Sequence, residues 1–447
     1  MALSDSGLQR NVSRRELLRR AAAAGVAVPM IAGGLGPRLH LDAAAAQNAD
    51  LSADLKIWGW EGAIEALQAA DPAFQQAYPK VKLEYVKRPP ADTYQQLQLS
   101  ASAGSGGPDV SIIEDSHLAQ FASLGVLMDV TDKVAPYIDK VNDYKWDQAK
   151  VDDKIYAMPW DSGPCAVFYR RDIFEKAGVD PKGLATWDDY YQAAKTIKTE
   201  ANVPMLQEAK AKNSGRTFEM LLWQRGLGYI DADGKVMLDT EPRVQETLEF
   251  LGRFWQEGLA ADTESWTDPW YKAFADGKVA TIPGAVWMGT FFKSYIAPDA
   301  AGKWGVERLP AWAGEESRAS NDGGSALAVW GTTKQQEAAW AYVEFHLARD
   351  DSQLAMYKAT DIFPSLETTY TDPFFTEPDP YFDNETVRKL FAEIVKEIPT
   401  AGVYSAHYEE MNSLLTPELQ RYAVGDQSAQ QALKNAADAI NERVEQS

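Results

Sequence analysis

Strand and helix patterns alternate along this chain, and that alternation limits the folds open to it more than any other feature. Apolar residues recur at strand spacing or at helical spacing in consecutive short segments. In chain order these are strands over 55–58, 81–86 and 109–113, with helices over 64–78 and 94–103 between them. This order predicts an α/β fold with a parallel sheet, and a similar alternation resumes with a strand over 166–169 and a helix over 187–200.

Acidic and aromatic residues follow two of the predicted strands. Trp60 and Glu61 come after the first strand, and Glu114 and Asp115 come after the third. In open α/β sheets, ligands bind beyond the carboxyl ends of the strands. The sequence therefore predicts that these four residues face a ligand.

Tryptophan beside a carboxylate is the combination that points to a particular chemistry. The chain has 14 Trp, and Trp160 is followed directly by Asp161. The pairing recurs more loosely at Trp266 and Trp270, and Trp287 follows a predicted strand. A flat indole covers the apolar C–H face of a sugar ring, and carboxylates accept charge-assisted hydrogen bonds from its hydroxyls. The pattern favours a carbohydrate-binding site.

Charge and cysteine content argue against several partners and cofactors. With 44 Lys and Arg against 65 Asp and Glu, the formal net charge is −21, which argues against nucleic acid and anionic membrane surfaces. A single cysteine, Cys165, excludes an internal disulfide, and four His leave little material for a metal site. No known catalytic motif is present, so we predict a protein that is not an enzyme and holds no metal or cofactor.

The first 46 residues have the order of an export signal. Arg14 and Arg15 precede an apolar run over 21–36, and small residues at 44–46 provide a cleavage site. The paired arginines resemble the twin-arginine signal. The run is short for a membrane span, and no cysteine closely follows it. We therefore expect a soluble periplasmic protein without a lipid anchor, with a net charge of −24 once this segment is removed.

Short motifs along the chain after residue 50 resemble the extracellular solute-binding proteins of family 1, which include the sugar-binding subunits of ABC importers. The matching segments are GPDV at 107–110, LGVLMD at 124–129, IYAMPW at 155–160, FYRRDIF at 168–174, ATWDD at 185–189, AFADGKVA at 273–280, GGSALAV at 323–329 and the helical pattern over 425–441. In the fourth segment, Arg170 replaces an asparagine that is common in the family. The number and order of the motifs carry the resemblance.

The resemblance implies a two-lobed, type II-like periplasmic-binding-protein fold with three hinge crossovers and a ligand in the cleft between the lobes. The implied crossovers lie near 162–166, 288–292 and 345–351. The implied lobes are 50–163 plus 289–346 and 164–288 plus 347–447, after a signal peptide over 1–46. Asp322 and Gly323 join the site by their place at the start of the 323–329 segment. Tyr404 joins it because it lies in a C-terminal loop where the family often has a stacking aromatic.

The complete predicted ligand-binding set is Trp60, Glu61, Glu114, Asp115, Trp160, Asp161, Trp270, Trp287, Asp322, Gly323 and Tyr404. The resemblance also implies two partners, a sugar ligand and an ABC permease in the inner membrane. The twin-arginine motif adds a third, the twin-arginine translocase during export. We expect the protein to be a monomer.

Two other functions stay open at this point. An acidic cleft with aromatic side chains also suits a non-sugar solute such as a polyamine. The same Trp and carboxylate residues would serve a secreted glycosidase. Arg88, after the second strand, is a candidate hydroxyl donor, although a solvated surface arginine is the simpler interpretation.

Overall fold

The computed structural model describes residues 50–231, 233–400 and 404–444. The predicted signal peptide over 1–46 lies outside the described residues, as do the last residues of the second predicted lobe. None of the helices in the described ranges combines the length with the apolar surface that a membrane span needs.

Helices and strands alternate through the first half of the chain, and helices dominate its end. The strands are β1 (Ala53–Gly59), β2 (Val81–Lys87), β3 (Val110–Glu114), β4 (Lys150–Val151), β5 (Lys154–Ile155), β6 (Met158–Arg170), β7 (Leu206–Gln207), β8 (Ala260–Ala261), β9 (Thr281–Ala285), β10 (Trp304–Arg308) and β11 (Asn321–Val329). The α-helices are α1 (Glu61–Ala77), α2 (Pro90–Ala103), α3 (Asp115–Ser123), α4 (Thr131–Val134), α5 (Asp143–Ala149), α6 (Arg171–Ala177), α7 (Trp187–Ala201), α8 (Arg216–Gln224), α9 (Pro242–Gln256), α10 (Asp268–Ala275), α11 (Met288–Phe291), α12 (Gln336–Leu347), α13 (Asp350–Thr360), α14 (Val387–Ile394), α15 (Tyr408–Val424) and α16 (Ala429–Val444).

One sheet carries most of the strands, in the order β10-β6-β11-β3-β1-β2, with β9 also paired to β6. β1 pairs in parallel with both β2 and β3, as the sequence predicted. β11 runs antiparallel to β3 and β6, and β6 runs antiparallel to β9 and β10. The sheet is therefore mixed, and within it the predicted parallel arrangement applies to β1–β3.

Local sequence signals account for the helices that flank this sheet. In α1, Ile64, Leu67 and Phe74 are buried on one face, as their helical spacing predicts. Helix α7 begins with a capping box, in which Thr186 and Asp189 each accept a hydrogen bond from the other residue's backbone N–H. The helices predicted at these two places are confirmed.

Within the part of the chain that the structure describes, buried apolar side chains form three clusters. The first core includes Ile57 of β1 and Leu327 of β11, together with side chains of α1 and α12. The second core joins part of β6 to α7, α9 and α15, and includes Tyr190. The third core includes Phe168 of β6 and Trp304 of β10.

The long strand β6 passes from the first core to the other two. Trp160 packs in the first core, whereas Cys165 packs in the second and Phe168 in the third. The change of core therefore falls within 161–164, which overlaps the first predicted crossover.

The two later crossovers lie elsewhere than the sequence predicted. Phe292, in the segment predicted as the second crossover, is buried in the third core. Phe345 and Leu347, in the segment predicted as the third crossover, are buried in the first core. These segments contribute apolar side chains to cores and do not run between them.

The chain instead changes core within two other segments, 319–326 and 356–375. Ala319 packs in the third core and Ala326 in the first, so the segment that enters β11 runs between them. Met356 packs in the first core and Phe363 in the third. The backbone N–H of Ser162 donates to the carbonyl of Phe363 at 2.9 Å, so this segment lies against β6. Linking segments therefore lie side by side where the cores meet.

Candidate functional site

A cavity with about 650 Å³ of atom-free space opens beside the start of α8, and tryptophan rings line one side of it. The ring centroid of Trp266 lies 4.9 Å from that of Trp270 and 5.9 Å from that of Trp287. Trp270 is almost fully buried, and its indole N–H donates to Gln207 at 2.5 Å. Trp266 is 40% exposed, so its ring supplies accessible apolar surface at the cavity.

The loop before α10 holds Trp266 in an unusual backbone conformation. Pro269 occupies the first turn of α10, and Trp270 and Phe274 are buried one turn apart on the same side of that helix. Trp266, just before the helix, has a φ of 65°, in the left-handed region that side chains other than Gly rarely adopt. Such conformations persist where the surrounding structure imposes them, and they cluster at ligand sites.

An arginine–aspartate pair lies beside the tryptophan rings. The Nε–H of Arg216 donates to Oδ1 and Oδ2 of Asp322 at 2.6 and 2.8 Å. The guanidinium carbon lies 4.9 Å from the ring centroid of Trp287, whose indole N–H donates to the carbonyl of Asp322 at 3.0 Å. Burial by itself would lower the pKa of Arg216, but the charge of Asp322 raises it above its usual value. The arginine is therefore charged and held in place.

A buried carboxyl forms another part of the cavity wall. Glu208 accepts hydrogen bonds from the side-chain amide of Asn213 and from the hydroxyl of Thr217, each at 2.6 Å. Burial raises the pKa of Glu208 to about 7, although these two hydrogen bonds act in the opposite direction. Near neutral pH this side chain can accept or donate a hydrogen bond.

Four of the predicted site residues come together here. Trp270, Trp287 and Asp322 line the cavity. Gly323 lies next to them, because a Cβ at this position would sit 3.7 Å from both Nη2 of Arg216 and Nε1 of Trp287. The structure thus joins predicted residues that are far apart in the sequence.

Two predicted acids lie at the junction of β6 and β11. Asp115 is buried against the ammonium of Lys145, and burial raises its pKa to about 7 although Lys145 lowers it. Asp161 accepts hydrogen bonds from the backbone N–H and the hydroxyl of Ser325, and burial raises its pKa. Within the described ranges neither side chain lines the cavity: Asp115 pairs with Lys145 of α5, and Asp161 links β6 to β11.

Three further predicted residues, Trp60, Glu61 and Trp160, do not line the cavity. Trp160 is fully buried in that core, and Trp60 packs against it. Glu61 lies 3.4 Å from the ammonium of Lys87.

Glu114 lies at the carboxyl end of β3. It accepts a hydrogen bond from the hydroxyl of Tyr94 at 2.9 Å, and burial raises its pKa. The ring of Tyr94 stacks on His117 with a centroid distance of 3.7 Å, so this end of β3 is covered by side chains.

Tyr404 lines a second, smaller pocket of about 310 Å³. Its ring centroid lies 5.4 Å from Trp223 and 4.5 Å from Tyr408. Glu219, in the same pocket, accepts a hydrogen bond from the hydroxyl of Tyr408 at 2.6 Å, and burial raises its pKa to about 7. The stacking aromatic predicted at Tyr404 therefore lies in an aromatic pocket separate from the main cavity.

Trp266, Arg216 and Glu208 are among the lining residues of the main cavity that were not in the predicted set. Trp266 showed only a loose Trp–acid pattern in the sequence. Arg216 and Glu208 lie on either side of a short loop, and nothing in their sequence spacing marks them as neighbours of Asp322. Their role depends on long-range contacts that a single sequence does not show.

The cavity offers flat apolar rings beside hydrogen-bond donors and acceptors. This combination suits a ring with hydroxyl groups on its edge. Among the described residues, no group of three or more His, Cys, Asp and Glu side chains is placed to hold a metal ion. The arrangement serves binding through stacking and hydrogen bonds.

Separate cores joined by linking segments, with a cavity beside one of those segments, define a two-lobed α/β binding protein. Known proteins are similar to this chain in sequence. The chain is 25% identical to the arabinooligosaccharide-binding protein of Halalkalibacterium halodurans over 420 residues, which cover 88% of this chain and 90% of that protein. It is 26% identical to the lactose-binding protein of Rhizobium radiobacter over 382 residues, or 83% of this chain and 88% of that one.

One solved structure is similar to this chain in both sequence and fold. The ABC transporter associated binding protein from B. animalis subsp. lactis, in complex with β-1,6-galactobiose, is 29% identical, with a TM-score of 0.73. The similarity covers 88% of this chain and 98% of that one. The profile of the bacterial extracellular solute-binding protein family matches residues 69–382, which is more than half of the sequence. The chain belongs to this family.

Proposed function

We propose that the chain is the substrate-binding component of an ABC importer and that it binds a carbohydrate in the cavity beside α8. The observation that carries this proposal is the tryptophan surface of Trp266, Trp270 and Trp287 next to the Arg216–Asp322 pair. Relatives named for arabinooligosaccharide and lactose, and a structural neighbour in complex with galactobiose, support a sugar as ligand.

Binding would act through the linking segments. We infer one lobe from most of 50–160 and 326–356, and the other from most of 165–319 and 375–444, because these ranges share cores. Asp322 lies in a linking segment, so a ligand that contacts it acts where the lobes meet. The ligand favours a closed state by its differential affinity for that state. Small-angle scattering should show a smaller radius of gyration with sugar, and an unchanged radius would contradict closure.

The location and partners of the protein form a further part of the proposal. We propose export to the periplasm by the twin-arginine translocase, removal of 1–46, and delivery of the sugar by a monomer to a membrane permease. Replacing Arg14 and Arg15 with Lys should leave the protein in the cytoplasm. Export of this variant at the wild-type level would contradict the route, and a dimer by light scattering would contradict the monomer.

Mass spectrometry of ligand released from the purified protein tests the proposed ligand class. We expect a mono- or oligosaccharide that is present in amounts close to those of the protein. Release of a polyamine or another non-sugar solute in such amounts would contradict the proposal.

A polyamine is the second candidate ligand, and the smaller pocket is the observation that favours it. Its aromatic rings surround Glu219, and aromatic faces with a carboxylate attract ammonium groups. Calorimetry with spermidine separates the candidates: binding of spermidine with no response to any sugar would favour this function.

We also propose that the protein releases its sugar unchanged. Its family consists of solute-binding proteins. Prolonged incubation with oligosaccharides, followed by chromatography, should yield no shorter products. Hydrolysis by the wild type that is lost on changing cavity carboxylates would identify a glycosidase instead.

A further inference from the structure

The guanidinium of Arg216 is only partly used by the protein. Arginine carries five N–H donors, and the one on Nε points at Asp322. Among the described residues, Nη1 and Nη2 of Arg216 have no hydrogen-bond acceptor, although this side chain lines the cavity. Since the Asp322 contact and the nearby Trp287 ring fix the guanidinium, its remaining donors have a defined direction.

The charge of Arg216 is cancelled where it meets the cavity. Asp322 touches it directly, and Glu219 and Glu114 also act on it electrostatically. Glu208 lines the same cavity, and Lys212 is the other basic residue in the described lining. The direct partner of Arg216 at the cavity is therefore the carboxylate of Asp322.

An acidic ligand and a neutral ligand meet this arrangement differently. A carboxylate would have to displace Asp322 from Arg216 or lie beside the negative charge of Asp322. A pair of neutral hydroxyls can accept from Nη1 and Nη2 and donate to the nearby carboxylates without breaking the existing contact. Two like charges about 4 Å apart near a protein surface repel strongly enough to lower affinity by roughly a hundredfold or more.

We propose that Arg216 binds sugar hydroxyls directly and that Asp322 makes the site select neutral sugars against acidic ones, such as uronic acids. Asp322 is then the specificity-determining residue of the cavity. This inference rests on the proposed carbohydrate function and adds to it the charge class of the substrate.

Asp322→Asn is the variant that tests the role of Asp322. Asparagine keeps a side-chain oxygen that can accept from Nε of Arg216, but it removes the negative charge. The matched control is Asp172→Asn, because Asp172 pairs with Arg170 through contacts of 2.9 and 2.6 Å away from the cavity lining. Thermal unfolding of both variants checks that they fold.

The measurement is calorimetry with β-1,6-galactobiose and lactose, each also prepared with the terminal galactose oxidised to galacturonic acid. We expect the wild type and Asp172→Asn to bind at least one neutral sugar about a hundredfold more tightly than its acidic form. In Asp322→Asn this ratio should fall at least tenfold because the acidic form gains affinity.

Four outcomes would overturn the inference. A wild-type ratio near one would do so without any variant, and so would an unchanged ratio in Asp322→Asn. Loss of both sugars by a folded Asp322→Asn would show that its charge holds the site together and does not select ligands. If the wild type binds neither neutral nor acidic sugars, the proposed carbohydrate function fails together with this inference. In the first three cases the carbohydrate function stands and only this inference fails.

Discussion

At the scale of single residues, Trp287 connects the aromatic and charged parts of the cavity. Its ring lies beside Trp266 and against the guanidinium of Arg216, while its N–H holds the backbone of Asp322. Trp287→Ala should therefore weaken sugar binding by about 1–3 kcal/mol, on the order of a lost aromatic contact. Calorimetry checks this, with Tyr295→Ala as control because Tyr295 is exposed and does not line the cavity. Equal affinity in the wild type and Trp287→Ala would remove Trp287 from the site.

The backbone of Trp266 gives a second prediction at this scale. Both Trp266→Ala and Trp266→Gly lose the ring, but only Gly tolerates a φ of 65° without strain. Trp266→Gly should thus unfold at higher urea concentration than Trp266→Ala, with a difference of about 1 kcal/mol. Both variants should lose sugar affinity equally.

Tyr295 provides the matched pair of control variants for this prediction. It lies in a helical turn over Phe292–Ile296, where Gly is less stable than Ala by about 1 kcal/mol. Tyr295→Gly should therefore be less stable than Tyr295→Ala, which is the opposite of the order expected at Trp266. The same order at both positions would contradict the strain at Trp266.

At the scale of elements, β11 depends on one glycine. Gly324 has a φ of 119°, and a Cβ there would lie 2.5 Å from Oδ2 of Asp115 and 2.8 Å from Nζ of Lys145. Gly324→Ala should lower the free energy of unfolding by roughly 2–4 kcal/mol, because it combines backbone strain with a clash against a buried ion pair.

Gly62 supplies the comparison for that variant. It lies in α1, and a Cβ there would meet no atom within 4 Å. Gly62→Ala should leave stability unchanged or raise it by about 1 kcal/mol. Urea unfolding measures both variants, and a Gly324→Ala protein as stable as the wild type would contradict the role given to Gly324.

The elements also show what the sequence could and could not predict. Strands β1–β3 and helices α1 and α7 follow from apolar spacing and capping residues, which are local signals. Strand β6 was predicted only over 166–169. Pro159, Gly163 and Pro164 lie before this range, and such residues in a sequence usually indicate a loop. Pairing with β11 extends this strand, and that contact joins residues about 160 positions apart. The later crossovers were misplaced for the same reason.

The candidate site was likewise predicted only in part from the sequence. Trp270, Trp287, Asp322 and Gly323 were predicted from residue type and family motifs, and the fold brings them together. Trp160 shared the Trp–acid pattern yet is fully buried, since that pattern does not distinguish a core Trp from a cavity Trp.

At the scale of the whole molecule, buried carboxyl groups make stability depend on pH. Burial raises the pKa of Glu208 and of Glu219 to about 7, above the value near 4.3 expected in the unfolded chain. Between about pH 4.3 and pH 7, these two groups therefore hold more protons in the folded state than in the unfolded state. The contribution of these two groups to the free energy of unfolding therefore falls as pH rises from about 4 to above 7.

Glu208→Gln isolates one of these groups. The variant cannot ionise, so relative to the wild type it should gain roughly 1–3 kcal/mol in unfolding free energy between pH 4.5 and pH 8. Glu61→Gln is the control, because Glu61 is exposed. Urea unfolding at the two pH values measures the difference, and parallel pH curves for wild type and Glu208→Gln would contradict a raised pKa.

Calorimetric titration of the wild type and of Trp287→Ala with a set of mono- and oligosaccharides and spermidine tests the central claim most directly. We predict saturable binding of at least one sugar, close to one per protein molecule, that Trp287→Ala weakens at least about fivefold. No response to any sugar, together with tight binding of spermidine, would contradict the claim that this cavity binds a carbohydrate.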